Sequence, residues 1–110
     1  MAYEEELAER IRDLVLGEPG VTERRMFGGL GFMVDGNLAV SASSQRGLLV
    51  RVDPDAHEAL LAEPHASPFE MRGRRMSGWL HVDPAGLRDD GALREWLARG
   101  VDFARSLPAK

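Results

Sequence analysis

The sequence predicts an α+β domain, one antiparallel sheet packed by helices in the order α-β-β-β-α-β-β-α. Three observations predict it. Both ends of the chain repeat apolar residues at helical spacing, the middle switches to a period of two, and glycine- or proline-bearing turns bound the alternating runs at short intervals. With 110 residues, 44% apolar and 29% charged, residues 1–110 fit one domain with one modest core.

The first helix rests on Leu7, Ile11, Leu14 and Val15, which share one stripe, with Glu4, Glu5 and Glu6 in a first turn that favours negative charge. Gly17-Glu18-Pro19-Gly20 ends it. From Arg24 the period becomes two: Met26, Gly28, Leu30, Phe32 and Val34 share one face of a single strand, and Phe27, Gly29, Gly31 and Met33 the other. Asp35-Gly36 is a tight hairpin turn into a strand around Leu38, Val40 and Ala42, and Ser43 to Gly47 turn the chain into a third strand, Leu48 to Val52. Asp53-Pro54 caps a short helix with Ala56, Leu60 and Leu61 inward. A second hairpin joins Phe69–Arg72 to Arg75–Val82 around Gly73, and Asp83-Pro84 repeats the earlier Val-Asp-Pro exit. The last helix, capped by Asp89 or Asp90, carries Leu93, Trp96, Leu97, Gly100, Val101 and Ala104 on one stripe and stops before Pro108.

Composition excludes several chemistries. The absence of cysteine removes disulfides, thiolate metal sites and a cysteine nucleophile. No run approaches the roughly 20 apolar residues of a membrane span, and the acidic start is unlike a secretory signal, so a cytoplasmic protein is expected. Gly28-Gly29-Leu30-Gly31 matches neither phosphate-binding glycine pattern and sits in a strand, where glycines serve a bulge or a close approach of backbones. His57, His65 and His81 have no metal-ligand spacing, and the serines lack a nucleophile elbow. No catalytic residue, metal or cofactor is expected. A histidine beside a carboxylate, such as His81 near Asp83, or His57, is what an unrecognised small enzyme would use.

Charge is unevenly spread. Residues 1–23 carry two arginines against seven acids, residues 24–52 four arginines against one acid, and residues 69–82 three against one, within a net charge of −4. The positive segments are those that read as strands. Arg24, Arg25, Arg72, Arg74 and Arg75 would form an anion- or nucleic-acid-binding patch if they converge, whereas the acidic total and the dominance of arginine over lysine favour a solvated sheet face. Phe27 and Phe32 point to opposite faces, so one large aromatic needs cover from a helix, a loop or a second copy of the chain, and a homodimer would supply it.

The run Arg24-Arg25-Met26-Phe27-Gly28-Gly29-Leu30-Gly31-Phe32-Met33-Val34-Asp35-Gly36 resembles the N-terminal domain of the TfoX/Sxy family. The resemblance continues through Leu48 to Asp53, Pro68-Phe69-Glu70, Trp79 and the Leu93–Ala104 helix. It implies a fold similar to the secretion-chaperone-like α+β group, and Met26, Phe27, Gly28, Gly29, Gly31 and Gly36 as motif residues with a structural role. The regulators that name the family act on transcription and natural competence with a cyclic-AMP receptor protein and carry a second, helical domain, so a stand-alone member is expected here. The resulting expectation is a non-enzymatic domain acting by contact with a protein partner in regulation. The alternatives are direct nucleic-acid or anion binding through the arginines, and a small enzyme.

Overall fold

The computed structural model describes residues 5–15, 17–26, 28–43, 46–71 and 73–109, with the side chains of 26, 71 and 75 left aside. Helix α1 (Glu5–Val15) is followed by strands β1 (Val21–Met26), β2 (Gly29–Val34), β3 (Asn37–Ala42) and β4 (Leu48–Arg51). A 3-10 turn (Pro54–Ala56) leads into the short α2 (His57–Leu60), then β5 (Ala66–Met71), β6 (Arg74–Val82), a second 3-10 turn (Pro84–Leu87) and α3 (Asp90–Ser106). The six strands form one antiparallel sheet in the order β1-β2-β3-β4-β6-β5.

The α+β class and the single antiparallel sheet agree with the sequence, but the number of strands does not. The single strand expected from Arg24 to Val34 is a hairpin, with Met26 paired to Gly29 across residues 27 and 28. Gly28 has φ +75°, which reverses the chain at little cost in glycine. The period of two hid the break, because both arms alternate and only their phase differs. Leu30, Phe32 and Val34 face the helices in β2, whereas in β1 it is the partners of Leu30 and Phe32, Arg25 and Glu23, that do so. The outer arm also starts earlier than expected, at Val21, because Thr22 to Arg25 are exposed and give no apolar signal.

One face of the sheet is the core. Leu30, Ala42, Leu48 and Val82 form one cross-strand row and Phe32, Val40, Val50 and Leu80 the next, all buried under Leu7, Ile11 and Val15 of α1 and Leu93, Trp96 and Leu97 of α3. A second cluster, Val34, Ala39, Val101 and Ala104, continues this contact along the C-terminal half of α3. It exists because the register between β2 and β3 shifts at Phe32/Met33, a bulge that turns Ala39 inward beside Val40. Here α3 lies almost on the strand. A Cβ on Gly100 would stand 2.6 Å from Ala39 O and 2.7 Å from Val40 Cγ1.

The caps read from the sequence form. Asp53, Asp83 and Asp89 accept hydrogen bonds from the backbone N–H of Asp55, Ala85 and Ala92 respectively, so the two Val-Asp-Pro exits do the same job. The helices are then tied down by polar contacts. Arg10 of α1 donates to Leu87 O (2.6 Å) and to Asp90 Oδ1 (2.8 Å), Arg105 donates to Pro19 O (3.0 Å), and the buried Asn37 donates to Pro108 O (2.9 Å). Among the described residues no helix is long and apolar enough to cross a membrane.

Gly100→Ala tests the helix–sheet approach. Overpacking of a close contact costs about 1–3 kcal/mol, and the helix propensity gained on leaving glycine offsets about 1 kcal/mol of it. We expect a net loss of up to about 2 kcal/mol in urea denaturation, against the gain of about 1 kcal/mol that an open helical site would show.

Candidate functional site

The sheet order places the candidate arginines in separate regions. Arg24 and Arg25 lie on β1, at one edge, and both are exposed. Arg24 shares the face turned away from the helices with Gly31, Ser41, Leu49 and His81, whereas Arg25 is level with Leu30 on the helix side. Arg74 begins β6, beside the other edge strand, with β2, β3 and β4 between it and β1. Arg72 and the side chain of Arg75 lie outside what the structure describes, as does Phe27. The motif glycines have structural work. Gly28 makes the turn, a Cβ on Gly29 would run into Ala42 O, and Gly36 (φ +86°) with Asp35 (φ +51°) forms the second tight turn.

The two edges of the sheet differ. β5 carries Pro68 beside a register shift, features that blunt a strand edge. β1 has neither, and its six residues pair with β2 without a shift. Asp35 N–H donates to Gly20 O (3.0 Å), which fixes the phase of the ladder: positions 22, 24 and 26 bond to β2 and the backbone of Val21, Glu23 and Arg25 points outward. Among the described residues no strand pairs with that outer edge.

Beside this edge, on the helix side, a groove of about 470 Å³ runs between β1 and the end of α1. Val15, Val21 and Phe32 give it apolar walls, and Arg12, Glu18 and Glu23 are its charged lining. Arg12 grips Glu23 with two donors, Nε to Oε2 (2.5 Å) and Nη2 to Oε1 (2.8 Å), and also pairs with Glu9. These bonds hold the Glu23 carboxyl below its ordinary value of 4.5 and the Arg12 guanidinium above its own. With Glu23 so engaged, Arg24 and Arg25 are the unpaired charges of the strand among the described residues.

Two of the three histidine side chains, His57 and His81, bond to backbone atoms. His57 is buried and its Nδ1 accepts the Gly78 N–H (3.1 Å), at the point where β6 bends through a positive φ of +84°. His81 Nε2 lies 2.5 Å from Arg46 O. Among the described residues no group of histidine and carboxylate side chains is placed to hold a metal ion. Trp79, at the sheet face opposite the core, is half-buried, with the Arg51 guanidinium 5.3 Å from its ring centre and 5.6 Å from that of Phe103.

The sequence profile of the TfoX N-terminal domain matches residues 13–104. The chain belongs to the TfoX N-terminal domain family. A search of curated proteins finds no match. The matched span of this TfoX domain runs from α1 into α3, so it contains the whole of β1, the Gly28 turn and the apolar walls of the groove, while Arg12 falls one residue before it. Sequence reasoning missed three parts of this region: the strand character of Val21 to Glu23, the Arg12–Glu23 pair, and the buried His57. The last had a readable signal, since His57, Leu60 and Leu61 stand at helical spacing on one face.

Two outcomes follow from these contacts. Glu23 is expected to titrate below 4.5 by carboxyl NMR, and Arg12→Ala to bring it back toward that value. Its lowered value makes the pair stabilising above about pH 4.5, with the contribution lost as pH falls through the folded-state value, so the urea midpoints of wild type and Glu23→Gln should converge on acidification. His57→Ala leaves the Gly78 N–H without its acceptor in a buried place, which is expected to cost at least about 1–3 kcal/mol in the same denaturation assay.

Proposed function

We propose that this TfoX domain is a binding module, not an enzyme, and that it acts in the regulation of gene expression by receiving an extended, acidic segment of a partner protein along β1. The observation that carries the reading is the open edge of β1, with outward backbone at Val21, Glu23 and Arg25 and a groove beside it. An added strand would gain main-chain hydrogen bonds from the edge, and its alternate side chains would gain specificity from the groove and from Arg24 on the opposite face. Glu23 is already held by Arg12, so Arg24 and Arg25 set the local sign and favour carboxylates. The regulatory role rests on the regulators for which the family is named.

A second copy of the chain is a poorer occupant of this edge. Two antiparallel β1 strands related by a two-fold axis must place one residue opposite its own copy. In the registers that pair most of the strand, centring on Glu23 joins two carboxylates and centring on Arg24 joins two guanidiniums, as does Arg25; centring on Val21, Thr22 or Met26 avoids this but pairs three residues of β1 or fewer. Like charges directly opposed across strands are destabilising. An acidic partner strand meets no such conflict. The commitment of His57 and His81 to backbone atoms favours binding over acid–base chemistry.

Peptides selected from a random library against the whole domain test this. The expected binders are extended, acidic and alternately apolar, and they shift the amide resonances of residues 21–26. Arg24→Glu should weaken them about tenfold. Arg25→Pro, which removes an N–H that β2 does not use, should abolish binding while leaving the circular dichroism unchanged. Binders without acidic character, shifts confined to other strands, or a dimer that Arg25→Pro dissolves would each overturn the reading.

A further inference from the structure

A groove between the two long helices carries a further interaction surface. It runs between the C-terminal end of α1 and the middle of α3, encloses about 210 Å³, and has Leu14, Leu97, Ala98 and Val101 among its apolar lining. Its charged lining is Glu18, Arg94 and Asp102. We propose that this surface joins the chain to a second copy of itself, with the two α3 helices antiparallel across a two-fold axis at Ala98.

The charges decide the occupant. Glu18 is already engaged, with Arg105 Nη1 3.3 Å from its Oε1. Arg94 and Asp102 are both exposed, and among the described residues neither has a hydrogen-bond or ion-pair partner. They are opposite in sign, yet they cannot satisfy each other within one chain. Eight residues of helix hold them about 12 Å apart along the axis, with Ala98 midway between them.

A second copy removes this separation. At i, i+4 and i+8 the three residues form one row on the helix surface. A two-fold axis perpendicular to α3 at Ala98 turns that row onto itself. Ala98 then faces its own copy, Arg94 faces the partner's Asp102, and Asp102 faces the partner's Arg94. Such self-complementarity is what an isologous interface requires. Ala98 is exposed and small, so the helices approach closely at the axis and the long Arg94 side chain spans the contact. The other exposed residues of this face meet no like charge. Gly91 falls opposite the partner's Arg105, and Glu95 opposite the partner's Val101, one helical turn from that arginine.

The same operation fails on β1, where the registers that pair most of the strand oppose two carboxylates or two guanidiniums. On α3 the axis falls on an uncharged residue and the flanking charges have opposite signs. Symmetric association is therefore directed to the helices and does not use the β1 edge, so the two surfaces are independent. Leu14, half-buried in the free chain, lies beside the row and gains cover from the partner. The contact is small, which places it among the weak, concentration-dependent interfaces.

Sedimentation of the whole chain from micromolar to millimolar concentration tests this. A reversible monomer–dimer equilibrium is expected. Arg94→Asp or Asp102→Arg alone opposes like charges twice per dimer and should weaken association at least about tenfold. The double variant, Arg94→Asp with Asp102→Arg, restores opposite signs and should recover most of the lost affinity, which independent structural effects of the two changes would not do. Ala98→Arg sets two guanidiniums on the axis and should abolish the dimer. Its circular dichroism should stay that of the wild type, because the position is exposed. Arg25→Pro, on the β1 edge, should leave the dimer intact. A chain that stays monomeric at millimolar concentration, single reversals without effect, a double reversal that recovers nothing, or a dimer dissolved by Arg25→Pro would each overturn the proposal.

Discussion

The reversal of the chain at Gly28 is the constraint on which the rest of this sheet edge depends. Had the run from Arg24 to Val34 been one strand, its exposed N-terminal end would have projected beyond the sheet without a neighbour. Folded at Gly28, the same residues make β1, lay it beside β2, and give the sheet an outermost strand. The reversal also changes the phase of the alternation. It puts Glu23 on the helix side within reach of Arg12, and sends Arg24 to the opposite face. A glycine with positive φ, a two-donor ion pair and a groove along α1 are therefore consequences of one turn.

The second organising contact is the close passage of α3 over β3 at Gly100. It lets Val101 and Ala104 reach Val34 and Ala39, so the helix covers the sheet along its length. Arginines then fasten the periphery. Arg10 joins α1 to the start of α3, Arg105 reaches back to Glu18 and Pro19, Arg99 lies over Trp96 and 3.7 Å from Glu63, and Arg51 lies over Trp79 and Phe103. Exposed ion pairs contribute little each. Those made to backbone carbonyls satisfy acceptors at chain ends and turns, a structural use that a flexible ammonium would fill less well.

Much of this was legible because local and global preferences agree. The stripe from Leu93 to Ala104 is helical by period and buried in fact, and the Asp-Pro exits cap as their chemistry requires. Within the glycine motif, Gly29 packs against the backbone of β3, the close approach that a glycine in a strand permits. What stayed hidden was of two kinds. β1 buries few side chains, so hydropathy has nothing to report there, and the two-residue turn leaves alternation intact on either side of it. The groove between α1 and α3 was invisible for another reason: its lining comes from two helices far apart in the chain, and only folding brings them together. Arginine clustering in the sequence pointed instead to Arg24, Arg25, Arg72, Arg74 and Arg75. The strand order sets the first two on the far side of β2, β3 and β4 from Arg74.

The net charge of −4 bears differently on ligands of different length. At physiological ionic strength charges more than about 8 Å apart are largely screened from one another. On the proposed reading, a short acidic strand on β1 responds to the charges within that distance, Arg24 and Arg25 among them. A nucleic acid extends over many such lengths, so its phosphates would meet the acidic surfaces as well as the basic ones, and sequence-independent affinity grows with the number of phosphates neutralised. A few basic residues on an edge strand, on a chain that is acidic overall, are on the proposed reading better matched to a local anionic group than to a long polyanion.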